Sequence, residues 1–136
     1  MALITWTADL NTDIEIIDDQ HKRIVHFINE LHDTQESGNR KRVEAVIDEL
    51  VEYTISHFSF EESLMEKAHY AYLEPHKKVH ALFIDKINSF VERNAKGEDV
   101  APELLRLLQR WLINHIKSED ADYSPVVRRD IERRDK

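Results

Sequence analysis

Four segments of this chain carry apolar residues at intervals of three and four positions, the spacing that places side chains on one face of an α-helix. These segments cover residues 17–31, 47–64, 73–90 and 104–112. Only two glycines and three prolines occur in 136 residues, so little interrupts the helices. No segment shows the alternation typical of a strand. We therefore predict an all-α fold, an antiparallel up-down-up-down four-helix bundle with short connections.

The predicted elements fit one domain that covers residues 1–136. Asp18 is the predicted N-cap of the first helix, and Gly97 is predicted to stop the third. The predicted elements are an irregular N-terminal leader over 1–16, helices over roughly 18–37, 40–65, 73–95 and 101–118, and a short C-terminal helix over roughly 124–133.

Composition excludes several kinds of site and partner. The chain has no cysteine, which excludes disulfides, thiolate zinc sites and a cysteine nucleophile, and which favours a cytoplasmic location. The net charge of -8 argues against nucleic acid as a partner. No apolar run approaches the roughly 18 residues of a membrane span, and the N-terminus lacks the basic region of a signal peptide. The charged helix exteriors favour a monomer.

Each predicted helix has an apolar face, called its seam here, and histidines occupy positions in these seams where apolar residues are expected. Five of the eight histidines, together with one glutamate, are predicted to point into the bundle: His21, His57, Glu61, His76, His80 and His115. Each buried polar group costs about 1–3 kcal/mol if it has no partner, so a shared metal ion is the simplest partner. In an antiparallel bundle the five histidines meet at one end.

The other three histidines are predicted to lie outside this site. His26 is about 140° around the helix from His21, at 3.6 residues per turn, and His32 also faces away from the seam. Both are expected on the surface. We interpret His69 as a loop or cap residue, because Pro75 indicates that the third helix begins after it.

The stretch "HIKSED" from His115 to Asp120 leaves one choice open. On a regular helix Glu119, at four residues, is the acid that stacks on His115. Asp120, at five residues, reaches the same site only if the helix ends, loosens or carries a wide turn there. Periodicity alone does not decide between them.

These residues resemble the hemerythrin family, most closely the single-domain bacterial hemerythrins. The resemblance rests on His21 after "IIDDQ", on "HFSFE", on "HKKVH" and on "HIKSED", in order and at family-like separations, and it covers the whole chain. It implies two iron ions with a bridging oxo or hydroxo group. It implies His76, His80 and His115 on one iron, His21 and His57 on the other, and Glu61 and Asp120 as bridges between them.

The resemblance also implies the function. With three bridges, the irons have three and two histidines, which leaves one coordination position for a small ligand such as dioxygen. The family's oxygen pocket matches Ile24, Phe58, Trp111, Leu112 and Ile116. We expect reversible dioxygen binding, without catalysis, for oxygen storage, transport or delivery. The expected recipient of delivered oxygen is an oxygen-consuming protein. The alternatives are an oxygen or redox sensing module and a di-iron oxidase or peroxidase.

Overall fold

The computed structural model describes residues 4–134, and for residues 118, 119 and 121 it describes the backbone alone. Every regular element in this part of the chain is helical, which confirms the predicted all-α class. A 3-10 helix, Ala8–Leu10, precedes the first α-helix. The α-helices are α1, Glu15–Ser37; α2, Arg40–Lys67; α3, Leu73–Ala95; α4, Ala101–Asn114; and α5, Ala121–Arg134. A π-helical segment, His115–Asp120, joins α4 to α5.

The largest differences from the predicted helix ends lie at the start of α1 and at the junction of α4 with α5. Helix α1 begins at Glu15, three residues before the predicted start at residue 18. The predicted fourth helix ended at residue 118 and a separate helix started at 124. The structure instead has continuous helical chain from Ala101 through the π-helical segment to Arg134.

Asp18 is not the N-cap of α1, contrary to the expectation from sequence. Ile14 occupies that position, and Asp18 lies buried in the first turn of the helix. Its carboxylate accepts hydrogen bonds from the backbone N–H and the hydroxyl of Thr12, both at 2.7 Å, and from the N–H of Asp13 at 3.2 Å. The carboxylate therefore ties the leader to α1 from inside the helix, which a search for caps does not detect.

Backbone conformation explains where two of the helices stop. Gly38, which follows α1, has φ +76°, and Gly97, two residues beyond α3, has φ +96°. These left-handed conformations suit glycine and end a helix by redirecting the chain. The predicted stop at Gly97 agrees with this geometry. At the start of α2, the Asn39 side chain accepts a hydrogen bond from the N–H of Arg42 at 3.2 Å.

A polar layer lies between two apolar clusters of the interior. The larger cluster joins α1 to α4 and includes Ile24, Phe58 and Leu112. The smaller cluster includes Ile17 and Tyr123, with Met65 and Val127. Along α1, His21 lies between Ile17 of the smaller cluster and Ile24 of the larger one. Along α2, Glu61 lies in the same way between Phe58 of the larger cluster and Met65 of the smaller one. The fold thus buries a band of titratable side chains with apolar packing on both sides.

The residues of these clusters come from helices that pack against one another. Helix α1 contacts α2 and α4, and α2 also contacts α3 and α5. Among residues 4–134, no helix is both long and apolar enough to cross a bilayer.

Candidate metal centre

Imidazole and carboxylate groups from α1, α2, α3 and the π-helical segment converge in the polar layer. Two overlapping groups have donor atoms that all lie within 4.8 Å of one another. One group contains Glu61, His76, His80 and His115, and the other contains His21, His57 and Glu61. All of these side chains are buried. Glu61 belongs to both groups, so its carboxylate lies between two sets of imidazoles.

The Glu61 carboxylate contacts histidines of both groups through one oxygen. Its Oε1 lies 3.1 Å from Nε2 of His57, 3.5 Å from Nε2 of His80 and 3.7 Å from Nε2 of His115. One oxygen thus faces three imidazoles that arise from α2, α3 and the π-helical segment. This position is appropriate for a carboxylate that serves two cations at once.

Asp120 also contacts histidines of both groups. Its Oδ2 lies 3.0 Å from Nε2 of His21. Its Oδ1 lies 3.0 Å from Nε2 of His115 and 3.7 Å from Nε2 of His76. The structure therefore brings together all seven residues that the resemblance implied as ligands.

The π-helical segment explains how Asp120, five residues farther along the chain, reaches His115. A π-helix advances five residues between stacked positions, where an α-helix advances four. The segment begins at His115 and ends at Asp120, so the wide turn spans the two residues that meet. The side chain of Glu119 lies outside the described part of the structure.

Several buried nitrogen and oxygen atoms of this layer have no hydrogen-bond partner among the residues that the structure describes. They include Nε2 of His21, His57 and His80, Oε1 of Glu61, and both carboxylate oxygens of Asp120. Leaving such atoms unsatisfied costs about 1–3 kcal/mol each, which a folded protein rarely accepts repeatedly in one place. Imidazole nitrogens and carboxylate oxygens are suitable ligands for iron, zinc or copper. The donor set and its burial therefore fit metal ions.

Two polar side chains hold the outer nitrogens of the histidine rings, and sequence reasoning missed both. Nδ1 of His57 lies 2.6 Å from Oε1 of Gln20, and Nδ1 of His80 lies 2.8 Å from Oε2 of Glu62. Because each acceptor engages Nδ1, the Nε2 atom of the same ring is left to face the centre. Each partner is the chain neighbour of another candidate ligand, which is the one signal in the sequence that could have indicated it.

Tyr123 is a third residue that sequence reasoning missed. Its hydroxyl donates a short hydrogen bond to Oε2 of Glu61, the oxygen that does not face the histidines. The phenol is buried in the smaller apolar cluster. Burial, followed by the nearby carboxylates of Glu61 and Asp120, raises the pKa of Tyr123 well above its ordinary value. The phenol therefore stays protonated and donates this hydrogen bond.

Burial also sets the protonation of the donors. It lowers the pKa of the His80 imidazole to about 3, so this ring is neutral and has a lone pair for a metal. For Glu61, burial raises the pKa, but His57 and His115 outweigh it and hold the pKa well below the ordinary value. The carboxylate is therefore ionised at neutral pH.

The candidate oxygen-pocket residues belong to the larger apolar cluster or pack against it. Ile24, Phe58, Leu112 and Ile116 are buried. The Phe58 ring stacks on His80, with 3.8 Å between ring centroids. Trp111 is half-buried and stacks on His115 at 4.7 Å, so it is the more peripheral member, while its neighbour Leu112 points fully inward. Phe83, which the sequence did not single out, stacks on Trp111 at 3.9 Å.

The remaining histidines lie outside the centre. His26 is 63% exposed and lies 3.7 Å from Glu30 on the same helix. His32 pairs with Glu36 at 3.5 Å. His69 lies in the turn after α2 with φ +55°, and its N–H donates to the carbonyl of Glu66 at 3.1 Å.

Comparisons with known proteins agree with this geometry. Residues 12–127 match the family model described as the hemerythrin HHE cation binding domain. A bacteriohemerythrin of Pseudomonas aeruginosa is 52% identical over 128 residues, which cover 94% of this chain and 84% of that protein. A bacteriohemerythrin of Methylococcus capsulatus is 38% identical over 93% of this chain and 98% of that protein. The crystal structure of a wild-type hemerythrin superposes with a TM-score of 0.89 at 36% identity, covering 93% of this chain and 98% of that one.

Proposed function

The chain belongs to the hemerythrin family, and we propose that it binds dioxygen reversibly at a non-heme di-iron centre, for oxygen storage, transport or delivery. The single observation that carries this proposal is the pair of overlapping donor groups that share Glu61. Five imidazoles and two carboxylates within one buried layer fit two metal ions better than one. The activity is binding, not catalysis.

We propose the following ligands for the two irons. His76, His80 and His115 bind one iron, and His21 and His57 bind the other. The division of the histidines between the two donor groups supports this assignment. Glu61 and Asp120 bridge the irons, which is supported by their contacts with histidines of both sets. When bound, the iron pair, with its bridging oxo or hydroxo group, supplies the electrons that dioxygen takes up on binding and returns on release.

The residues around the ligands keep the imidazoles in place. Gln20 and Glu62 hold the Nδ1 atoms of His57 and His80, so those rings cannot rotate away from the centre. A carboxylate partner makes an imidazole a stronger donor than an amide partner does, so Glu62 and Gln20 give the two iron sites different electron density. This difference suits a centre in which one iron alone receives the exogenous ligand.

The apolar wall excludes water from the dioxygen position. Ile24, Phe58, Leu112 and Ile116 are buried in the larger apolar cluster, and Trp111 packs against this cluster. A dry pocket slows the protonation of reduced dioxygen, which is the event that turns reversible binding into irreversible oxidation. These side chains therefore favour the return of dioxygen over its release in reduced form.

We also propose that the helices run up-down-up-down in antiparallel order, as the sequence suggests. Arg42, near the start of α2, contacts Glu30 late in α1, and Arg40 lies 3.6 Å from Asp99, beyond α3. These contacts lie at one end of the bundle. The candidate ligands come from the early parts of α1 and α3 and the late part of α2, and they form the other end.

The ligand set separates binding from the alternative functions. Di-iron oxidases of the ferritin-like type use two Glu-x-x-His pairs and carboxylate-rich sites, whereas this layer has five imidazoles and two carboxylates. A cytoplasmic location, a monomeric state and an oxygen-consuming recipient stay proposals from the sequence.

Repeated oxygenation tests binding against turnover. The iron-loaded protein is exposed to dioxygen and then to vacuum over several cycles, and the gas recovered is compared with the gas taken up. We expect equal amounts in every cycle. Continued consumption of dioxygen with release of water or peroxide would instead establish an oxidase.

A further inference from the structure

Three of the four tyrosines form a row that leads from the protein surface to the metal centre. Tyr72 is 66% exposed. Its ring centroid lies 5.9 Å from that of Tyr70, which in turn lies 6.4 Å from that of Tyr123. The Tyr123 hydroxyl donates a hydrogen bond to Glu61, the proposed bridging carboxylate. Each ring thus contacts the next, edge to face, without an intervening residue.

The outer end of this row opens on a surface cleft. Tyr70 and Tyr72 line a cleft of about 770 Å³, together with Pro75, Val79 and part of His76. The inner end is buried, and the Tyr123 ring lies 5.5 Å from the His76 ring. The row therefore connects a solvent-accessible phenol with groups that touch the proposed irons. Nothing in the proposed dioxygen binding requires it.

We propose that Tyr123, Tyr70 and Tyr72 form a relay that carries oxidising equivalents from the metal centre to the protein surface. The relay rests on the proposed di-iron function, because the oxidant arises there. A centre that reduces dioxygen is exposed to peroxide whenever reduced dioxygen leaves the pocket instead of returning its electrons. The peroxide is the oxidant, and the phenols are the reductants.

The overall change balances in atoms and electrons. One hydrogen peroxide takes up two electrons and two protons and becomes two water molecules. Tyr72 of the molecule that holds the peroxide supplies both electrons and both protons in turn through the relay, and between the two steps its phenoxyl takes one electron and one proton from Tyr72 of a second protein molecule. Each of the two phenols has then lost one electron and one proton. The resulting phenoxyl radicals join through a new carbon–carbon bond and form one dityrosine. A small reductant in the cleft, when present, restores the two phenols instead.

The hydrogen bond to Glu61 gives the inner phenol a place for its proton. When Tyr123 gives up an electron, its hydroxyl proton shifts toward Oε2 of Glu61 along the existing hydrogen bond. It returns when Tyr70 supplies the replacing electron. No unpaired charge remains in the buried layer, where it would be costly. Tyr70 and Tyr72 release and recover their protons at the solvent-exposed cleft.

The experiment treats the full-length, iron-loaded protein with hydrogen peroxide and measures dityrosine fluorescence, with mass spectrometry to locate the modified tyrosine. We compare the unaltered chain with Tyr72→Phe, Tyr70→Phe and Tyr123→Phe. Tyr53→Phe is the matched control, because Tyr53 packs against Phe27, outside the row. Iron content and reversible oxygenation are measured first for every protein.

We expect dityrosine at Tyr72 in the unaltered protein and in Tyr53→Phe, and its loss in the three row variants. The decisive variant is Tyr70→Phe, since the Tyr70 ring packs against the rings of Tyr72 and Tyr123 and phenylalanine keeps that ring, so the variant should hold both irons. Peroxide diffusing in solution would oxidise the exposed Tyr72 whether or not Tyr70 is present. Persistent oxidation of Tyr72 in Tyr70→Phe with two irons therefore overturns the relay and leaves the proposed function standing. Absence of two irons in the unaltered protein overturns both.

Discussion

Nε2 of His115 lies 3.0 Å from Oδ1 of Asp120, although five residues separate them along the chain. The π-helical segment that begins at the one residue and ends at the other makes this contact possible. The same carboxylate reaches His21 on α1 through its other oxygen. A local widening of one helix therefore brings a second carboxylate into the polar layer, beside histidines of both donor groups.

The roles of the two neighbouring acids are separable by mutation. We expect Asp120→Ala to lose at least one iron per chain, because Asp120 touches histidines of both donor groups. Glu119→Ala is the matched control and should keep both irons. Metal analysis of the two purified variants measures this. Iron loss in Glu119→Ala alone would show that the bridging role of Asp120 is wrong.

Removing the partner of His80 should weaken metal binding without removing a ligand. In Glu62→Ala the Nδ1 atom of His80 loses its 2.8 Å contact, so the ring is less well oriented. We expect iron affinity to fall by about 10–100-fold, the usual effect of losing such a partner. Competition with a chelator measures the affinity. Glu66→Ala, at an exposed position of the same helix, is the control, and an equal fall there would refute the positioning role.

Leu112 should protect the oxygenated centre from irreversible oxidation. Leu112→Ala opens a cavity in the fully buried wall, admits water and should speed autoxidation of the oxygenated form. The same change should lower the free energy of unfolding by about 2–5 kcal/mol. Leu105→Ala, another buried leucine of α4, separates the two effects, because it should lose stability and keep its autoxidation rate. Equal autoxidation rates in all three proteins would count against shielding by Leu112.

The iron-free protein should lose stability as the pH falls. The unfolded chain protonates the His80 imidazole below its ordinary pKa of 6.5, whereas the folded chain, with this pKa at about 3, does not. The unfolded state therefore binds more protons between these values, and stability is full above pH 6.5 and declines toward pH 3. His80 contributes a slope of up to about 1.4 kcal/mol per pH unit.

Urea unfolding of the iron-free protein at several pH values measures this slope. His80→Gln should flatten it, since the buried imidazole is gone. His26→Gln replaces an exposed histidine and should leave the slope as it is. The same slope in all three proteins would mean that His80 does not cause the decline.

Periodicity predicted the parts of the site that regular helices determine. His57 and Glu61, and likewise His76 and His80, are four residues apart, and four-residue spacing places side chains on one helix face. The burial of His21 follows from its place between Ile17 and Ile24 in the same way. The all-α fold could be predicted for the same reason, since the helical seams cover most of the chain.

Interactions between helices, and departures from regular helix, could not be predicted in this way. Asp120 depends on a π-helical turn, which five-residue spacing allows but does not require. Gln20, Glu62 and Tyr123 act on residues 37, 18 and 62 positions away in sequence, and helical periodicity does not pair residues so far apart. Asp18 resembled an N-cap because acids favour helix starts, but its partners lie in the leader.

The most direct measurement is metal analysis joined to an absorption spectrum recorded without dioxygen, with dioxygen and again under vacuum. We expect two irons per chain and a charge-transfer band that appears with the gas and disappears when the gas is withdrawn. Fewer than two metal ions per chain, or a band that does not reverse, would contradict the di-iron dioxygen-binding function.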